Sequence, residues 1–192
     1  QINCVMVSDD AGGAIVAWKD TRGDDPDIYA QRIDAAGTPK WAASGLPLCT
    51  LTGGSIDPCI VSDGASGAIV AWTDARHQLT TWNDIYAQHV DSLGVCSWTP
   101  GGDSLCCAAD TQRYPKAASD GAGGAIVCWE DRRSMLDYDI YAQRITDEGE
   151  LVATLLASFE AAASPAGVSL AWRLSSLDGG GWFRVCLLYT SD

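Results

Sequence analysis

The sequence predicts an all-β chain: a partial β-propeller of three four-stranded antiparallel blades, the third incomplete, followed by the start of a β-sandwich module. Three observations carry this expectation. The phrase GGAIVAW at 12–18 returns as GAIVAW at 67–72 and as GGAIVCW at 123–129. A second phrase, DIYAQ, begins at Asp27, Asp84 and Asp139. Between short clusters rich in Gly and Asp, the apolar residues are mostly small or β-branched, a pattern of many brief strands.

The spacing of the phrases defines the unit. Trp18, Trp72 and Trp129 are 54 and 57 residues apart, whereas Asp27, Asp84 and Asp139 are 57 and 55 apart. From Asp27 to Trp72 and from Asp84 to Trp129 the separation is 45 in both cases, so every length change falls between the Trp and the next DIYAQ. That interval reads as a free loop. The units run over about 1–54, 55–111 and 112–150.

Each unit reads as four strands. The first precedes Ser-Asp-Gly, as in PCIVSDG, and a Gly-rich turn such as SDGASG joins it to the second, GAIVAW, because Asp and Gly tolerate the positive φ of tight turns. The second strand is apolar on both faces, as expected of a strand packed between layers. The third, DIYAQRID, is mixed and suits a position nearer the rim; the fourth surrounds Trp41 or Trp98 and ends at Leu-Cys, 48/49 or 105/106. Antiparallel four-stranded units repeating at this period mark a propeller, which closes with about 4 to 8 blades. Further blades of the same chain are therefore expected as partners.

The third unit departs from the pattern after DIYAQRITDEG: Ala153 stands where Trp is expected and Glu160 where Leu48 is expected. Residues 151–185 read as the opening strands of a truncated fibronectin-like β module. The ending CLLYTSD, 186–192, resembles a translated sequencing adapter and reads as a non-native tail. The chain opens inside a strand-like phrase, QINCVMVSDD, which points to a truncated N-terminus.

A net charge of -13 with 12 Lys and Arg argues against nucleic acid as a partner, since that binding draws on cations meeting phosphates. No apolar run is long enough for a membrane-spanning helix. None of the eight cysteines stands in a C-x-x-C pair or near a His at zinc-ligand spacing, which argues against a zinc site. Cys49 and Cys106 occupy equivalent positions and read as small buried side chains, with a Cys49–Cys59 bridge as the alternative in an oxidising compartment.

The W-x-D-x-R triplets followed by DIYAQR resemble repeats of large secreted bacterial proteins, in which propeller-like arrays precede fibronectin-like and sorting modules. The resemblance implies a secreted or cell-surface location and an adhesive, scaffolding or carbohydrate-related role, with a glycan or a surface protein as ligand.

Candidate ligand-binding residues are Trp18, Asp20 and Arg22; Trp72, Asp74 and Arg76; and Trp129, Asp131 and Arg133. There Trp can stack on a sugar ring while Asp and Arg bond its hydroxyls. The alternative is that each Asp–Arg pair staples its loop and Trp fills space between blades, since ligand sites seldom repeat in every unit. Asp20, Asp24, Asp25 and Asp27 form an acidic loop that offers oxygen ligands for Ca²⁺, though without the register of an EF-hand; no other cofactor is implied. His77 lies in the variable loop, and His89 replaces Arg32 and Arg144, as if these were interchangeable surface positions. With two histidines and no nucleophile, zincin or P-loop motif, the sequence leads us to expect a non-enzymatic chain. The alternative is a fragment of a propeller-type glycoside-active enzyme whose catalytic residues lie in missing blades.

Overall fold

The structure, a computed structural model, describes residues 1–164, 167–177 and 183–185, with side chains as far as residue 152. The tail at 186–192 lies outside the described residues, as do residues 165–166 and 178–182 of the segment read as a sandwich module.

Three antiparallel sheets follow one another along the chain. The first comprises β1 (Ile2–Ser8), β2 (Ala14–Asp20), β3 (Asp27–Ile33) and β4 (Leu46–Cys49), in that order across the sheet. The second repeats it with β5 (Ser55–Ser62), β6 (Ala68–Asp74), β7 (Asp84–Val90) and β8 (Asp103–Cys106). The third opens with β9 (Gln112–Ser119), β10 (Ala125–Asp131) and β11 (Asp139–Ile145). The described residues contain no helix, and so none long and apolar enough to cross a membrane.

The third sheet gains its outer strands by a different route. The far end of β11 pairs with β12 (Leu151–Ser164), which forms a hairpin with β13 (Gly167–Leu177). The chain then returns, and β14 (Phe183–Val185) pairs with Ile140, Tyr141 and Ala142. Those residues correspond to Ile28, Tyr29 and Ala30, which pair with β4, and to Ile85, Tyr86 and Ala87, which pair with β8. β14 thus occupies the fourth-strand place, displaced along the sequence by the hairpin. A gapless repeat alignment looks for that strand near Ala153 and Glu160 and does not find it.

First strands carry the contact between sheets: β1 lies against β5 and β5 against β9, so this edge of each blade faces the propeller axis. Burial follows from that stacking. β6, flanked by a sheet on either side, is buried at every position, whereas β2 and β10 are fully buried mainly at alternate positions. One apolar core unites Ile15, Ala17 and Ile28 of the first blade with Val70 and Trp72 of the second. Another joins Ile69, Ala71 and Ile85 of the second to Val127 and Trp129 of the third. The face of the third blade that corresponds to Ile69 and Ile85 is open: Ile126 is 43% exposed and Ile140 45%.

Trp41 and Trp98 precede the fourth strands rather than lying within them. The buried Gln of DIYAQ explains their place. Gln31 Oε1 accepts the Trp41 N–H at 2.9 Å and Gln31 Nε2 donates to the Ala42 carbonyl at 2.7 Å, with Gln88 doing the same for Trp98 and Thr99. A side chain here supplies the bonds that a strand neighbour otherwise makes.

At Gly102 (φ +90°) the backbone meets the ring of Trp72, and an added Cβ would lie 2.6 Å from Cη2 of that ring and 2.7 Å from the Ala87 carbonyl oxygen. Gly102→Ala is therefore expected to cost about 1–3 kcal/mol through backbone strain alone, read as a lowered denaturant midpoint.

Candidate functional site

The Trp-x-Asp-x-Arg triplets end β2, β6 and β10, where alternation puts Trp and Asp on one face two residues apart. In the second blade Trp72 Nε1 donates to Asp74 Oδ2 at 2.8 Å, and Arg76 Nε and Nη2 donate to the two carboxylate oxygens at 2.8 and 2.7 Å. The Arg76 backbone N–H adds a bond to Oδ1 at 2.9 Å. The guanidinium lies over the Tyr86 ring at 3.7 Å from its centre, a cation–π contact. Trp18, Asp20, Arg22 and Tyr29 repeat this arrangement in the first blade, and Trp129, Asp131, Arg133 and Tyr141 in the third. Trp72 and Trp129 are buried, and Trp18, on the open face of the first blade, is half-buried.

The staple also reaches the preceding blade. Asp74 Oδ2 accepts from Ser55 Oγ at 3.1 Å and from the Cys49 thiol at 3.8 Å, while Arg76 Nη2 lies 3.4 Å from Cys49 Sγ. Cys106 holds the same position against Asp131 and Arg133. The recurrent Leu-Cys thus places a thiol in the next blade's ion pair. Cys49 and Cys59, like the other cysteines among the described residues, are free thiols. Burial pushes the Cys106 thiol up to about 12, so it stays protonated and can donate.

At the opposite end, each hairpin Asp forms a second repeated pair, which sequence reading missed. Asp9 binds Arg32, Asp120 binds Arg144, and Asp63 takes His89 Nε2 at 2.9 Å. His89 is largely buried against Trp98. The positions of Arg32, His89 and Arg144 are therefore partners of a buried carboxylate rather than interchangeable surface sites. The recurrence of Ser-Asp with two or three Gly in each turn was the available signal.

These networks set the acid response. In Asp74 and Asp131 burial raises the carboxyl pKa, but the Arg, Trp and backbone donors outweigh it and leave both below the ordinary value of 3.8. Asp9, Asp20, Asp34, Asp63 and Asp120 are likewise lowered. A carboxyl lowered by folding contributes stability that is fully present above its unfolded pKa and is lost as pH falls through its folded one. Asp27 and Asp84, raised first by burial, contribute oppositely above 3.8. The thermal midpoint is expected to fall steeply as pH drops from about 4 to about 2. A flat midpoint over that interval would contradict the assignment of these pairs.

The acidic loop is dispersed. Asp20 is held by Arg22, Asp25 Oδ2 accepts the Gly53 N–H at 3.0 Å, and neither Asp24 nor Asp27 joins them in a ligand cluster. Among the described residues, His77, Asp84 and Cys107 are the group of three whose donor atoms lie within 4.8 Å of one another.

The axis edge has its own geometry. β1, β5 and β9 each carry a bulge opposite the repeat Trp, and Asn3, Asp57 and Tyr114 occupy equivalent bulge positions with φ of 54°, 52° and 55°. Left-handed backbone at a non-Gly residue costs energy, and bulges re-aim side chains. Pro58 and Pro115 follow, tolerated because an edge strand can forgo an N–H. Around Tyr114, 47% exposed, Arg113 stacks at 4.0 Å from the Tyr138 ring centre and pairs with Glu130 at 3.0 Å. Away from the axis, a 330 Å³ groove between the first two blades is lined by Pro47, Leu51, Cys96, Trp98 and Pro100, among others.

Neither a protein-family profile nor a curated protein sequence matches this chain. Among solved structures it is similar to an α-L-arabinanase of Penicillium chrysogenum complexed with arabinobiose, at 14% identity and a TM-score of 0.53, over 96% of this chain and 64% of that one. It is similar also to a protein of unknown function from Dyadobacter fermentans DSM 18053, at 13% identity and a TM-score of 0.50, over 95% of this chain and 68% of that one. This chain therefore spans just under two thirds of the arabinanase's length. That neighbour is an enzyme, which corrects the expectation of a non-enzymatic chain: the expectation rested on missing local motifs, and a site can be assembled from separate blades without leaving one. The fold this chain shares with the arabinanase is the all-β propeller-like stack of four-stranded antiparallel blades.

Proposed function

We propose that this chain supplies three consecutive blades of a secreted propeller that acts on glycosidic substrates, receiving the sugar at the loop end of the axis. One observation carries the reading. The blades repeat Trp, Asp, Arg, Tyr and Gln almost without change, yet where the backbone converges the equivalent residues are Asn3, Asp57 and Tyr114. A structural role repeats from blade to blade, whereas a ligand site needs different chemistry from each. An arabinanase with this fold supports the choice of ligand class.

In this reading Tyr114 offers a face for a sugar ring, and Asp57 and Asn3 bond its hydroxyls. Cleavage of a glycosidic bond uses two carboxylates. The three bulges provide one, Asp57, and this reading takes the second from a further blade. The Trp-Asp-Arg staples fix the loops that rim the opening.

The test is calorimetric titration of the chain with arabino-oligosaccharides, alongside an array of other glycans. Binding is expected, and Tyr114→Ala and Asp57→Ala should each weaken it about tenfold or more while leaving the far-UV spectrum unchanged. A blank array, or binding indifferent to both substitutions, overturns the placement.

A further inference from the structure

Three side chains from separate segments converge at the loop end of the second blade. His77 stands in the loop between β6 and β7, Asp84 opens β7, and Cys107 follows β8. The loop holds its histidine firmly: the N–H groups of Thr80 and Thr81 and the Thr80 hydroxyl all donate to the His77 carbonyl, at 2.8, 3.0 and 3.0 Å. His77 Nδ1 then meets Asp84 Oδ2 at 3.2 Å, and Thr81 Oγ1 donates to the same oxygen at 3.0 Å.

Asp84 is completely buried, and its second oxygen, Oδ1, has no hydrogen-bond partner. Such an oxygen is costly unless something positive meets it. Cys107 is exposed, with its thiol 3.6 Å from the Tyr86 hydroxyl, so the cluster is open to solvent on that side. The sister blades do not share the arrangement. Asp27 and Asp139 keep the carboxylate, but Gly23 and Ser134 stand where His77 does, and Thr50 where Cys107 does.

The donor set selects the ion. Ca²⁺ and Mg²⁺ take oxygen ligands, whereas one imidazole nitrogen, one carboxylate and one thiolate suit Zn²⁺. Nitrogen and oxygen ligands bound at about 2.0–2.1 Å to a tetrahedral zinc lie roughly 3.3 Å apart, close to the His77–Asp84 separation. We infer that His77, Asp84 and Cys107 form a Zn²⁺ site with its fourth position open to water, tying the long loop of the second blade to the end of β8. Binding releases the thiol proton to solvent as the metal–sulfur bond forms. The inference does not depend on the glycan reading and is tested without any sugar.

The experiment titrates the reduced chain with Co²⁺ as a spectroscopic stand-in, followed by Zn²⁺. A thiolate-to-cobalt charge-transfer band saturating at one equivalent is expected, and it should vanish as Zn²⁺ displaces Co²⁺. Cys107→Ser should abolish the band, His77→Ala should weaken metal affinity by more than about tenfold, and Cys4→Ser should leave both unchanged. Both ligand substitutions are at exposed positions, so the fold is expected to survive and circular dichroism checks it. Absence of the band, or its persistence in Cys107→Ser, overturns the site.

Discussion

Trp72→Ala is expected to lower the thermal midpoint by about 10 °C or more, among the largest effects of any single substitution in this chain. Trp72 is fully buried between the first two sheets, in one core with Ile15, Ala17, Val70 and Tyr86. Its removal forfeits the transfer free energy of the indole and leaves a cavity that two rigid sheets cannot close, together about 3–5 kcal/mol. Against a total stability of roughly 5–15 kcal/mol, that is about a fifth or more. The same substitution at half-buried Trp18 should cost clearly less, because that face of the first blade is open. Melting followed by circular dichroism checks both, and equal shifts for the two variants would refute the stacking argument.

Asp74→Asn should cost about 3 kcal/mol despite its near-identical shape. The carboxylate is buried and gathers Trp72, Ser55, Cys49 and Arg76, and the Arg76 side chain is only 14% exposed. Asparagine keeps one acceptor but removes the charge, leaving a guanidinium without its counter-ion where water reaches poorly. Breaking a buried pair from one side is penalised more than removing both partners. The Asp74→Asn, Arg76→Gln double variant is therefore expected to be more stable than Asp74→Asn alone, a comparison that a double-mutant cycle reads directly. Asp20→Asn should cost less, because Arg22 is 39% exposed and water can replace its partner. A single substitution at Asp74 that leaves the denaturant midpoint unchanged would show the staple to be ornamental.

Much of this was legible beforehand because its physics is local. The strands followed from period-two apolar patterning and Gly-rich turns, and nine of them, β1 to β3, β5 to β7 and β9 to β11, fall where the repeated phrases put them. The Trp-Asp-Arg grouping could be read because two-residue spacing on a strand puts its members on one face. The fourth strands were placed less well. Trp41 and Trp98 look like strand residues, yet a buried glutamine from another strand captures their backbone. The second role of Cys49 and Cys106 was hidden too, since their polar partners belong to the next blade. Ser-Asp turns signalled hairpins, but nothing nearby announced that Arg32, His89 and Arg144 answer them across the sheet.

By itself the sequence determined the unit, its number and the order of its strands, because turn chemistry and side-chain alternation act between near neighbours. Only the tertiary structure decided which faces are covered, that β14 completes the third blade, that Asn3, Asp57 and Tyr114 occupy matching bulges of adjoining first strands, and that His77, Asp84 and Cys107 meet. Those juxtapositions come from pairing strands within a sheet and from stacking one sheet on the next. Residues tens of positions apart carry no spacing signal for a contact that packing, rather than chain geometry, creates.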